Sequence, residues 1–162
     1  MMVDFSRLSR NWLEWTSLAR MSQVSVSEDC DDCQISFKSD DQAFHLREDG
    51  AWWTVDEVDD RGRRYDATAK FSTFELAEAY LIWNWASVTR SAIGAKQLGR
   101  ELHAQGMALS VETLPTEREY FVELRGPTGS AILPTSGATI FSHLMSKSVD
   151  QIEQMVKEGV TS

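Results

Sequence analysis

The 162-residue chain predicts an α+β fold, a single domain over residues 1–162 in which antiparallel β-meanders pack with N-terminal, central and C-terminal helices. Three observations predict it. Short runs of alternating apolar and polar residues, divided by tight turns, occupy 35–71 and 107–133. Segments with apolar residues every three or four positions stand near the start, in the middle and at the end. Hydrophobic residues make up 42% and charged residues 25%, a balance that supports a real core at a length suited to one domain.

Asp4 caps a first helix expected to run to about residue 21, with Phe5, Leu8, Trp12, Trp15 and Ala19 on its inner side. Arg7, Arg10, Asn11 and Glu14 are left mostly to solvent. Ile35 and Phe37, then Phe44 and Leu46, alternate with polar residues as two half-buried strands. A turn at 48–50 leads into a strand over 52–58, and Asp59-Asp60-Arg61-Gly62 turns into a strand over 64–71. The four strands form a meander, because connections this short join antiparallel neighbours. Trp52 and Trp53 must point to opposite faces of the sheet, one into the core and one to a covered or partner-facing surface. In the strand over 64–71, Tyr65, Ala67, Ala69 and Phe71 are expected on one face.

Ser72-Thr73-Phe74-Glu75 has the form of a capping box with Ser72 at the cap, opening a helix to about residue 91. Its stripe of Phe74, Ala77, Leu81, Trp85 and Val88 is broad enough to pack on more than one side. A short helix is expected around 98–103. A second meander follows, with strands at Met107, Leu109 and Val111, at 120–124 and at 131–133. Residues 138–145 read as a short helix. Ser148 to Gln151 form a second capping box, opening a last helix with Ile152, Met155 and Val156 inward.

The formal net charge of −9 is concentrated: residues 28–60 hold twelve acidic residues against Lys38 and Arg47. Such a field repels phosphate backbones, which argues against nucleic acid and for a basic protein surface as partner. No apolar run is long enough to span a membrane, and the first residues carry no uninterrupted apolar signal segment, so the expected location is cytoplasmic.

No catalytic set is evident, and no cofactor or metal site is expected. Cys30-Asp-Asp-Cys33 lacks the second ligand pair of a structural zinc site, and His45, His103 and His143 stand at no ligand spacing to one another. Acidic neighbours raise thiol pKa values, so the pair reads as an incidental loop dithiol rather than a redox motif. Gly94 to Glu101 lacks the Lys and Ser/Thr of a phosphate loop. Ser142-His143 and Glu101-Leu-His103 lack an orienting partner and a nucleophile elbow. The residues that remain are those of a charged hairpin: Asp56, Glu57, Asp59, Asp60, Arg61 and Arg63, continued by Arg64. Carboxylates and guanidiniums there give charge-steered, geometrically specific contacts to a partner, or salt bridges within the hairpin itself.

The stretch from Trp52 to Gly94 resembles a family of actinobacterial immunity proteins from polymorphic toxin systems, the family of the antitoxin to the tuberculosis necrotizing toxin. The resemblance rests on an aromatic strand, a charged turn with Arg61-Gly62, a strand ending in Ala69 and Phe71, and a helix carrying Glu75, Ala79-Tyr80-Leu81 and Arg90-Ser91. A tryptophan-bearing N-terminal helix and Phe141-Ser142-His143-Leu144 before a capped helix fit it too. It implies a non-enzymatic cytoplasmic antitoxin that binds and occludes a cognate secreted toxin domain; for the antitoxin just mentioned, that toxin hydrolyses NAD. A secretion chaperone or adaptor binding a partner protein is the alternative from another class, and a small enzyme with a hidden site is a third.

Overall fold

The structure, a computed structural model, describes residues 3–160, so residues 1, 2, 161 and 162 of the expected domain lie outside the described residues. Eight strands form one antiparallel sheet: β1 (Ser25–Ser27), β2 (Ile35–Lys38), β3 (Ala43–Asp49), β4 (Trp52–Val58), β5 (Arg64–Phe71), β6 (Glu112–Pro115), β7 (Phe121–Gly126) and β8 (Gly129–Pro134). Their order is β1-β2-β3-β4-β5-β8-β7-β6, so the two expected meanders are halves of a single sheet. The join is short: Lys70 pairs with Ile132 and Phe71 with Ala131. The helices are α1 (Ser6–Leu18), α2 (Phe74–Ala92), α3 (Gly99–Ala104), α4 (Thr135–Leu144) and α5 (Val149–Lys157).

One face of the sheet is apolar and carries the helices. Phe37 and Phe44 from that face enclose Trp12 of α1 and Trp85 of α2, with ring centroids 4.9–6.1 Å apart in mostly edge-to-face pairs. Farther along, Phe71 meets Tyr80 and Phe141, which ties α2 and α4 to the seam between the halves. α2 is therefore gripped on several sides: the sheet below, α1 through Thr89 Oγ1 donating to the Trp15 carbonyl at 2.9 Å, and α5 through Arg90. The buried Arg90 guanidinium donates to the carbonyls of Val156, Glu158 and Lys96, capping the end of α5 where carbonyls lack helical partners.

Several expectations shift by a residue or a face. Asn11 is fully buried, since its amide bridges the Arg7 carbonyl and Glu153 while its oxygen accepts from Trp15 Nε1. α1 starts at Ser6 and ends at Leu18, with Asp4 Oδ1 accepting from the Ser6 amide. The cap of α2 is Thr73, whose side chain accepts from the Leu76 amide, because Ser72 Oγ is committed to the Ser130 amide across the sheet seam. Val88 is exposed; Ile82 and Ala86 take its expected place inside. The second capping box is as read, with Ser148 and Gln151 bonding reciprocally.

Met107, Leu109 and Val111 form no strand. The segment is a turn closed by the Val111 amide on the Ala108 carbonyl and by the Ala108 amide on Ser142 Oγ. Val111 is buried and Leu109 stands in solvent, so the apparent alternation came from turn geometry. The strand is β6, one step later, and Pro115 is tolerated there because β6 is a sheet edge. The other edge, β1, precedes the first expected strand; three residues long, it offers little backbone for unwanted pairing.

Candidate interaction surface

The opposite face of the sheet is polar. Ser36, His45 and Asp56 lie in register across β2, β3 and β4, and Arg47 lies opposite Thr54. Ser36, His45, Thr54 and Asp56 are all buried even though they alternate outward. The cause is a cover of long charged side chains and of the 28–34 loop, anchored by Arg64 on Asp32 at 2.9 Å.

Asp56 is the centre of this arrangement. Its two oxygens accept from Arg47 Nε at 2.8 Å, Arg47 Nη2 at 3.3 Å, Arg64 Nη2 at 3.0 Å and the Ala67 amide at 2.7 Å. Four bonds use the acceptor capacity of a carboxylate. Burial opposes its ionisation, but the bonds from Arg47, Ala67 and Arg64 and the charge of Arg47 prevail, holding its pKa below the usual carboxylate range. Bonding to Asp56 likewise outweighs partial burial and raises the Arg47 pKa. Arg47 also reaches Asp49, and Arg64 reaches Asp66, so two arginines are shared among four carboxylates.

The sequence reading counted Asp56 among the hairpin residues available to a partner; the structure places it in β4, enclosed beneath the surface. The backbone explains how. Ala67 adopts a left-handed conformation, φ 53°, and the β4–β5 register shifts between Val55 and Glu57. This bulge aims the Ala67 amide at Asp56 and its carbonyl at Arg118, 2.6 Å away on the β6–β7 turn. It also breaks the alternation expected for β5, leaving Tyr65 exposed while Ala69 and Phe71 are buried.

Of the other hairpin residues, Asp59, Asp60, Arg61 and Arg63 are at the tip. The Asp59 side chain accepts from the amides of Arg61 and Arg63, at 3.0 and 2.9 Å, while Gly62 takes the left-handed conformation, φ 81°, that closes the turn. Those amide bonds, first of all that from Arg63, depress the Asp59 pKa. Arg63 lies over the Tyr65 ring, 5.1 Å from its centroid. The tip thus has a fixed backbone and presents Asp60, Arg61 and Arg63 to solvent. Glu57 is half-buried in β4, on the helix-bearing side, where its charge adds to desolvation in raising the pKa of half-buried Tyr80.

Arg47, Asp32, Asp66 and His45 had no place in the sequence reading of this surface. The one available signal was the run of polar residues at the outward phase of three paired strands. Cys30 and Cys33 are joined in a disulfide rather than free, their Cα atoms 5.5 Å apart, within bridging range. Donor atoms of Asp32, Cys33 and His45 lie within 4.8 Å of one another. Burial, followed by the charges of Arg64 and Lys38, lowers the His45 pKa, so the imidazole is neutral near pH 7.

The remaining candidates resolve as structural. Ser142 Oγ donates to Thr139 and accepts from Ala108, and His143 Nε2 lies 2.6 Å from the Gly106 carbonyl. Glu101 pairs with Lys96 rather than with exposed His103. Among the described residues one carboxyl is strongly perturbed: Glu78 on α2, pushed up to about 7 by burial and by Glu153, Glu75 and Asp4 against the pull of Arg7. It lines an open recess of about 520 Å³ with Arg7, Glu75 and Asp150. The Ser148 hydroxyl there is committed to the helix cap, and neither cysteine nor histidine lines the recess.

No curated protein matches the chain at a significant level. Among solved structures, Rv3902c from M. tuberculosis shares the fold with a TM-score of 0.67, at 14% identity, covering 90% of this chain and 87% of that one. The Immunity protein 61 (Imm61) family matches residues 15–158, from the middle of α1 to the end of α5. The match takes in the whole sheet and helices α2 to α5, and the chain belongs to the Immunity protein 61 family.

Proposed function

We propose that this protein is an antitoxin that binds the toxic domain of a cognate secreted protein in the cytoplasm of an actinobacterium and occludes its active site stoichiometrically. The observation that carries the reading is the family match over residues 15–158. The charged hairpin supports it. Its tip is preorganised by Asp59, so docking Glu57, Asp60, Arg61 and Arg63 against a partner orders little that is not ordered already. Asp56 contributes from beneath, by fixing Arg47 and Arg64. The acidity of residues 28–60 suits a cationic rim around a toxin active site, and it accelerates encounter. An NAD-hydrolysing toxin is the chemistry that the family resemblance suggests.

Co-expression with the toxic domain of a neighbouring large secreted protein is the direct test. Rescue of growth, a 1:1 complex and loss of toxin turnover are expected. Binding that leaves the toxin active would point to a secretion chaperone or adaptor, and failure to bind would overturn the antitoxin reading.

A further inference from the structure

The loop over 28–34 carries the Cys30–Cys33 pair, and β3 carries His45 beneath it. A lone cysteine pair on an acidic loop is no site, but His45 changes that. His45 is 9% exposed, and its Nδ1 is buried without a hydrogen-bond partner among the described residues, an arrangement that costs energy unless something takes up the lone pair or proton. Donor atoms of His45, Cys33 and Asp32 lie within 4.8 Å of one another, and Cys30 is bonded to Cys33. The chain thus brings two sulfurs, one imidazole and one carboxylate to one place. The Cys-x-x-Cys spacing is the common two-sulfur bite of zinc sites.

We propose that, once the Cys30–Cys33 disulfide is reduced, Cys30, Cys33, His45 and Asp32 bind a single divalent cation of the zinc type. The ligand set is soft enough to exclude magnesium and calcium, which take oxygen ligands. In a tetrahedral zinc site, metal–ligand distances of about 2.0–2.3 Å place the two sulfurs well beyond disulfide bonding distance, so once reduced they must separate and settle around the ion with His45 and Asp32. The exposed loop supplies that movement, while His45 stays fixed in a strand paired on both sides. Arg64, which holds Asp32 at 2.9 Å, retains Asp56 and Asp66 when Asp32 turns to the metal.

The chemistry balances with a dithiol reductant. The disulfide takes two electrons and two protons from the dithiol, which becomes a disulfide itself. The cation then displaces the two thiol protons to solvent and binds both thiolates. Either state pins the acidic loop, by a covalent bridge under oxidising conditions or by the metal under reducing ones.

Cobalt(II) is the probe, because thiolate ligation gives an intense near-ultraviolet charge-transfer absorption and tetrahedral geometry gives visible bands. Protein reduced with a dithiol and freed of reductant should bind one cobalt ion with both signatures and release it to zinc. Oxidised protein should give neither signature. Cys33→Ser should cut the charge-transfer band to half or less, and His45→Gln should weaken binding more than about tenfold. Far-ultraviolet circular dichroism of the metal-free variants checks that they are folded, and oxidised wild type serves as the control that needs no substitution. Lack of a stoichiometric cobalt complex in reduced protein would overturn the site. Equal binding by oxidised protein, or unchanged affinity in folded His45→Gln, would do the same.

Discussion

The two faces of the sheet are built from the same strands and by opposite physics. Toward the helices, Phe37, Phe44, Val55 and Phe71 bury apolar area, which is non-directional and tolerant of modest repacking. Away from them, Asp56 is as buried as those side chains, but it is held by four directional bonds from Arg47, Arg64 and Ala67. Charges there are stable only as a set, since removing one partner leaves the others desolvated and uncompensated. The first face fixes the fold, and the second fixes the shape of a charged surface.

The largest effect should come from the apolar face. Trp85 touches Trp12, Phe37 and Phe44, so Trp85→Ala removes a ring through which α2 meets both α1 and the sheet. A loss of about 3–5 kcal/mol is expected in urea unfolding. A much smaller loss would mean that α1 and α2 can collapse onto the sheet without it.

On the polar face, Asp56→Ala should cost about 2–3 kcal/mol, less than a fully buried pair because Arg47 and Arg64 remain partly solvated. The sign with pH follows from the depressed pKa of Asp56. Its contribution is complete above the ordinary carboxylate range and disappears as pH falls through the lower folded pKa. Wild type and variant should therefore converge in stability under acid. A gap that persists unchanged at low pH would mean that Asp56 acts through packing and not through charge.

Glu78 offers the contrast of a buried carboxyl without a saturating set of donors. Its folded pKa, about 7, lies above the ordinary 4.5, so the protonated form suits the fold. Its stabilising effect is full below about 4.5 and is lost as pH rises through 7. Glu78→Gln, neutral throughout, should gain on the wild type between pH 5 and pH 8 by about 2 kcal/mol. Thermal unfolding at those two pH values measures it, and a parallel pH response of both proteins would refute it.

Legibility in the sequence divides along the same line as the physics. Alternation placed Ile35, Phe37, Phe44, Leu46, Ala69 and Phe71 on the core face, because burial of apolar area depends only on period and side. The capping box at Ser148 was legible because both of its bonds close within four residues. The cap of α2 was misplaced by one residue, because Ser72 answers to Ser130 in another strand. For the same reason Asn11 and Arg90 gave no sign of being buried: their partners, Glu153 and Val156, are far along the chain. The ion network was the hardest to foresee. It joins Asp32, Arg47, Asp56 and Arg64 through a register and a bulge at Ala67, and neither leaves a local pattern.

The smallest expected effect on stability is the most informative about function. Asp60 and Arg61 project from the hairpin tip, and the backbone there is fixed by Asp59 rather than by their side chains. Exchanging their charges, with Asp60→Arg and Arg61→Asp together, keeps net charge constant and should alter stability by less than about 0.5 kcal/mol. If the tip docks on the toxin, the exchange inverts the local field, slows association and weakens the complex about tenfold or more, with the deficit shrinking as salt rises. Asp56→Ala would loosen the same surface from beneath, at a cost in stability that the exchange avoids. Association rates of the two variants with the toxic domain separate the roles. A charge exchange that leaves the rate unchanged would move the docking surface away from the tip.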